Sequence, residues 1–119
     1  MHIITFTRST PDTGINVEVG ADGAVTWGDA KTVVNPWDEY SLEETIVQAK
    51  NTGGAATVIA LGSDMHADAL KHSIAMGIKN AVRVDDENLD VRDSLQWATM
   101  AAAAVNNIDD AKLVIFGKE

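Results

Sequence analysis

With 119 residues, the chain suits one compact domain able to bury roughly 65% of its unfolded surface. Its 45% apolar and 23% charged residues exclude a disordered or fibrous polypeptide. A net charge of −9 repels phosphate backbones and anionic lipid surfaces, which excludes nucleic acid as a partner, and zero cysteines exclude disulfides, thiolate metal sites and a cysteine nucleophile.

In chain order, "HIITFTR" (2–8) is a short β-branched run that reads as a strand buried on both faces. "MHIITFTRS" enters this pattern directly, without a signal-peptide core, and no apolar run approaches the ~20 residues of a membrane span. The expectation is a cytoplasmic protein without membrane insertion. After the Pro11-Asp12 turn signal, "INVEV" and "AVTW" alternate around "ADG", where Asp22-Gly23 supplies a tight antiparallel hairpin.

"VVNPWDEYSLEE" (33–44) then opens a helix. Asn35 is its N-cap, Pro36 suits the first helical position, and Asp38 stands near the positive end of the dipole, with a second capping pattern from Ser41 to Glu44. This is either simply a well-made helix start or one whose free N–H groups also hold part of a nucleotide. Leu42, Thr45, Ile46 and Ala49 form its apolar stripe, and Gly53-Gly54 end it.

"ATVIALG" (56–62) is a second buried strand. Ser63 or Asp64 caps a helix with Ala67, Leu70 and Ile74 on its inner face, which Gly77 stops. "NAVRV" (80–84) is a strand and "DDENLD" (85–90) a solvated acidic loop, lacking the fixed oxygen offsets and glycine turn of a calcium site. A helix from about Val91 to Asn106, with Leu95, Ala98, Ala102 and Val105 inward, precedes a last strand, "AKLVIFG" (111–117). "AAAA" (101–104) reads as a close helix-to-sheet contact.

The alternation of helix and strand predicts an α/β domain spanning 1–119, with a parallel sheet, helices on both faces and an antiparallel hairpin excursion after the first strand. Ligands in such sheets bind beyond the carboxyl ends of the strands, where the winding reverses, here near 6–9, 62–64, 84–86 and 117–119. No catalytic constellation can be assembled. His66 and His72 are six apart, on different faces of a helix, so they do not share a metal, and His2, His66 and His72 all read as surface histidines. Neither dinucleotide nor P-loop glycine pattern is present. Trp27, Trp37 and Trp97 can each be core, and Trp37 can instead lie against a flat ring.

Four stretches in order then resemble the β subunit of electron transfer flavoprotein: "TRSTPDTGINVEVGADGAVTWGD", "VVNPWDEYSLEETI", "ALKHSIAMGIKNAVRV" and "LVIFGKE". The resemblance covers essentially the whole chain. It implies a three-layer Rossmann-like fold of the adenine nucleotide α-hydrolase-like type. It also implies a heterodimer with an α subunit that holds most of the redox FAD, and electron transfer from dehydrogenases to a quinone reductase or similar acceptor, without catalysis by this chain's own side chains. The β crevice of such proteins holds AMP or a second FAD.

By motif, the resemblance assigns nucleotide contacts to Phe6, Asn35, Pro36, Trp37, Asp38, Ser63, Gly117, Lys118 and Glu119. Phe6 replaces a usually small residue and can crowd an adenine or pack against it. Glu119 replaces a usual Gln, exchanging a group that donates hydrogen bonds for one that only accepts when ionised. Members of the family are longer, and their phosphate-binding loop begins where this sequence ends. The expectation is the N-terminal part of a β subunit, or a shortened relative, that binds AMP or FAD weakly or not at all by itself. The competing readings are a universal-stress-type adenine-nucleotide-binding homodimer, which lacks its Gly-rich phosphate loop here, and a small α/β enzyme, which lacks its constellation.

Overall fold

The computed structural model describes residues 1–11, 18–23, 25–26, 32–85, 89 and 93–118. The expected strand at 15–17, Trp27, most of the acidic loop, Val91 and Glu119 lie outside the described residues. In chain order the elements are β1 (His2–Phe6), β2 (Ser9–Pro11), β3 (Glu18–Val19), β4 (Val25–Thr26), β5 (Thr32–Val34), α1 (Pro36–Thr52), β6 (Ala55–Gly62), a 3₁₀ turn (Asp64–His66), α2 (Ala67–Met76), β7 (Asn80–Asp85), α3 (Ser94–Asn106) and β8 (Ala111–Ile115).

Four strands form a parallel sheet in the order β7-β6-β1-β8. The chain steps outward from β1 through β6 to β7, then returns across α3 to place β8 on the far side of β1, so the winding reverses at β1. The central strand is β1, as its unbroken run of buried residues requires: Ile3, Ile4 and Thr5 are fully buried. The antiparallel excursion consists of two ribbons, with Glu18 opposite Thr26 and Ser9 opposite Val34. The second ribbon, β2 with β5, runs directly into α1.

Side chains alternate across the sheet and build two cores. Val58 and Ala60 of β6 meet Leu42, Leu70 and Ile78 on the face covered by α1 and α2. Ile4, Phe6, Ile59 and Leu61 meet Ala101 on the face covered by α3, with Trp97, Met100, Ala104 and Val105 packed against them. The result is a three-layer Rossmann-like α/β fold.

Several details differ from the sequence expectation. The Ser41–Glu44 pattern is not a cap: Ser41 is buried inside α1 and its hydroxyl donates to the Asp38 carbonyl at 2.9 Å. Side-chain capping falls to Asn35 alone, whose Oδ1 accepts from the Trp37 N–H. In α2, Ile74 is exposed while Ala69, Leu70 and Ser73 are buried, and a 3₁₀ turn rather than a side-chain cap starts the helix. Helix α3 starts at Ser94, because Asp93 caps it by accepting from the Leu95 and Gln96 N–H groups.

The rotation of α3 also differs. Leu95 is 78% exposed and Ala98 and Ala102 face solvent, whereas Trp97, Met100, Ala101, Ala104 and Val105 face the sheet. No residue of α3 carries charge, but Gln96, Thr99 and Asn106 share its exposed side, while the large surfaces of Trp97 and Met100 turn to the sheet. Only Ala101 of the alanine run is buried, so the close contact is local.

Candidate functional site

The carboxyl ends of β1, β6 and β8 converge on a cavity of about 240 Å³ at the point where the winding reverses. Its wall comprises Phe6, Thr7 and Arg8 after β1, Leu61 in β6, His66 in the 3₁₀ turn, Phe116 and Gly117 after β8, and Asp38, Ser94 and Trp97 from the first turns of α1 and α3. Among the described residues, the end of β7 is not part of it.

Two backbone bonds fix the loop that forms one side. The Thr7 N–H donates to the Ile59 carbonyl at 3.0 Å, and the Asn35 N–H donates to the Arg8 carbonyl at 3.0 Å. The segment leaving β1 is thereby tied both to β6 and to the start of α1.

Three aromatic rings make the apolar wall. Phe6 and Phe116 lie parallel with centroids 5.3 Å apart, and Trp97 meets Phe6 edge-on at 5.2 Å and Phe116 at 6.1 Å. Phe6 is 4% exposed, held against these neighbours, while Phe116 is 56% exposed at the mouth. The bulk of Phe6 is thus accommodated by packing.

Opposite this wall stands Asp38, 7% exposed in the first turn of α1. Burial pushes its carboxyl up to about 6, and the Arg8 charge together with hydrogen bonds from the Arg8 backbone and the Asn35 side chain only partly offsets this. Gly117 passes so close that a Cβ there would lie 2.6 Å from Asp38 Oδ1 and 2.8 Å from the Trp37 carbonyl oxygen. Glycine is required at 117 for lack of space, and it lets β8 close the cavity against α1.

His66 corrects the surface reading. It is 4% exposed, and its Nδ1 accepts a hydrogen bond from the Ser9 N–H at 3.0 Å. Burial, with the positive charges of Arg8 and Arg83, lowers its pKa, so the ring is neutral near pH 7. His72 does face solvent, 3.6 Å from Glu39, and His2 is half-buried with Nε2 2.6 Å from Thr57 Oγ1.

Of the residues assigned by resemblance, Phe6, Asp38 and Gly117 line the cavity and Asn35 stands buried behind Asp38. Pro36 and Trp37 sit on the outer rim, both exposed, and the Trp37 ring carries the Lys118 ammonium 5.4 Å from its centroid instead of lining the cavity. Ser63 is half-buried and outside the lining. Sequence reasoning did not single out Arg8, Leu61, His66, Ser94, Trp97 or Phe116 as site residues. Arg8 followed a strand end already marked as a rim, but nothing in the spacing turned His66 inward.

The helix start is largely self-satisfied: Asn35 Oδ1 takes the Trp37 N–H, the Asn35 carbonyl takes the Asp38 N–H, and Pro36 has none. With the Asp38 carboxyl beside it, this end of the cavity suits a polar but uncharged group better than a phosphate. Among the described residues no group of His, Asp and Glu is arranged to hold a metal, and no helix is long and apolar enough to cross a membrane.

A family model described as the electron transfer flavoprotein domain matches residues 24–119. The chain is 31% identical over 111 residues to the electron transfer flavoprotein subunit beta of Clostridium acetobutylicum, covering 91% of this chain and 42% of that protein. It is 29% identical over 111 residues to Protein FixA of Rhizobium meliloti, covering 92% of this chain and 38% of that protein. It is 24% identical over 108 residues to the acryloyl-CoA reductase electron transfer subunit gamma of Anaerotignum propionicum, covering 91% and 40%. The chain thus spans about two fifths of the length of these curated relatives. A parallel sheet that reverses at a walled crevice, and a family match over most of the sequence, lead to one assignment: the chain belongs to the electron transfer flavoprotein domain family.

Proposed function

We propose that this chain acts as the β-type part of an electron transfer flavoprotein, pairing with an α subunit that carries FAD and using its own crevice for the adenosine portion of AMP or of a second FAD. Dehydrogenases donate the electrons and a quinone reductase or similar acceptor receives them. The chain's own side chains bind, orient and exclude water, and perform no covalent chemistry. The observation that carries this reading is the aromatic-walled cavity at the reversal point, flanked by one buried carboxyl.

A volume of about 240 Å³ lies below the roughly 300–1,000 Å³ of clefts that enclose whole drug-sized ligands, so it suits a bicyclic base with part of its sugar. Phe6, Trp97 and Phe116 supply the flat apolar contact, and Asp38 and Arg8 supply polar groups on the other side. Phosphates then extend past the rim, where Lys118 stands over Trp37. The C. acetobutylicum and A. propionicum relatives are named as electron-transfer subunits, which supports the same reading.

The test is co-expression with an α-subunit-like partner, together with a millimolar AMP titration of the chain followed by amide NMR. The expected result is a yellow, flavin-containing heterodimer and weak binding whose shifts cluster at residues 6–8, 38, 97 and 116–117. A colourless homodimer, or AMP shifts elsewhere, would overturn it. Submicromolar affinity of AMP or FAD for the 119 residues alone would contradict the weak binding expected of one wall of the site.

A further inference from the structure

Among the cavity's polar groups, His66 has a feature the family assignment does not use. Its Nδ1 accepts the backbone N–H of Ser9, in the β2–β5 ribbon, while the residue belongs to the cavity lining and no described hydrogen bond engages Nε2. A neutral imidazole whose Nδ1 accepts must carry its hydrogen on Nε2. Nearby Thr7, 4% exposed and also in the lining, has an Oγ1 without a hydrogen-bond partner among the described residues. Polar capacity on this side of the cavity is therefore unfilled.

We propose that His66 is a specificity-determining residue: Ser9 fixes its tautomer, and its Nε2–H is presented to an uncharged acceptor atom, a ring nitrogen or sugar oxygen, of the adenosine portion. This rests on the reading of the crevice as an adenosine site. A phosphate is the wrong partner for His66. An anion at Nε2 favours the imidazolium, which places a hydrogen on Nδ1 against the Ser9 N–H and adds a third cation beside Arg8 and Arg83. The carboxyl of Asp38 lines the same cavity and further disfavours an anion there. The Ser9 bond also couples the ribbon to the ligand, because β5 leads directly into the Asn35 cap.

Two near-isosteric substitutions separate the two ring nitrogens. His66→Asn retains an acceptor near the Nδ1 position and removes the donor, whereas His66→Gln retains an N–H near the Nε2 position and removes the acceptor. Adenosine, which carries no phosphate, is the probe. Nitrogen-15 ring spectra of the unliganded wild type should show the Nε2–H tautomer at neutral pH, and an Nδ1–H tautomer would overturn the proposal.

His66→Asn is expected to weaken adenosine binding about threefold to tenfold, one ordinary hydrogen bond, while the Ser9 amide stays protected from exchange. His66→Gln should bind adenosine within about twofold while the Ser9 amide exchanges faster. Failure of the wild type to bind adenosine, both alone at millimolar concentration and as the heterodimer with its α-type partner, would overturn the crevice reading itself. Wild-type binding that His66→Asn leaves unchanged would overturn only the role given to His66.

Discussion

The two faces of the sheet are built to different standards. On one, α1 and α2 bring Leu42, Leu70 and Ile78 into a continuous core with Val58 and Ala60, and the buried hydroxyls of Ser41, Thr45 and Ser73 return to carbonyls of their own helices at 2.7–2.9 Å. On the other, α3 contributes a single buried residue, Ala101, and the rest of the contact is made by half-buried Trp97, Met100, Ala104 and Val105. The cavity opens on this second side, where Trp97 and Phe116 line it. Close packing on one face holds the strands in place. Looser packing on the other leaves room at their ends for a ligand.

If that contrast is right, the largest single effect lies on the α1–α2 face. Leu42→Ala empties a fully buried site and should cost roughly 2–5 kcal/mol in urea unfolding. A loss under about 1 kcal/mol would show that this face is no better packed than the other.

The next effect concerns the cavity's carboxyl. Burial raises the pKa of Asp38 from its ordinary 3.8 to about 6 in the folded protein, so the folded protein binds more protons between those two values. Its contribution is therefore fully present below pH ~4 and is lost as pH rises toward about 6, up to roughly 3 kcal/mol before relaxation. Asp38→Asn should flatten that part of the stability profile. His66 acts in the opposite direction: its lowered pKa makes stability fall as pH drops below its ordinary value near 6.5. Urea midpoints from pH 4 to 8 for the wild type, Asp38→Asn and His66→Asn separate the two slopes, and an unchanged slope in Asp38→Asn would remove the buried carboxyl from this account.

Gly117→Ala, at the cavity rim, drives a methyl into Asp38 Oδ1 and the Trp37 carbonyl and should cost about 1–3 kcal/mol. Its amide shifts should report β8 moving away from α1. The smallest effect belongs to the outer face of α3: Leu95→Ser should change stability by no more than about 0.5 kcal/mol, because the side chain is 78% exposed. A loss above about 2 kcal/mol there would mean that α3 packs against something the isolated chain does not show.

Much of the fold was legible in the residues. β-branched runs, the Asn35-Pro36 cap and the glycines at 53 and 77 located most elements to within a few residues, because these signals act locally. Gly53 has the left-handed conformation that its position after α1 predicted, with φ of 67°. The site was less legible. Phe6, Asp38 and Gly117 were reached through family resemblance, and the same route placed Trp37 and Ser63 at a cavity whose lining they do not join.

The sequence by itself determined the period and punctuation of most elements, the order of strand and helix, and hence a parallel sheet with its crevice at the carboxyl ends of the strands. Only the tertiary structure decided which way the uncharged α3 rotates, that His66 turns inward to the Ser9 N–H, and that Gly117 must be bare because α1 passes against it. The physical reason is range. Caps, turns and periodicity are settled by neighbours along the chain, whereas helix rotation, side-chain burial and close backbone approach depend on surfaces brought together from distant positions.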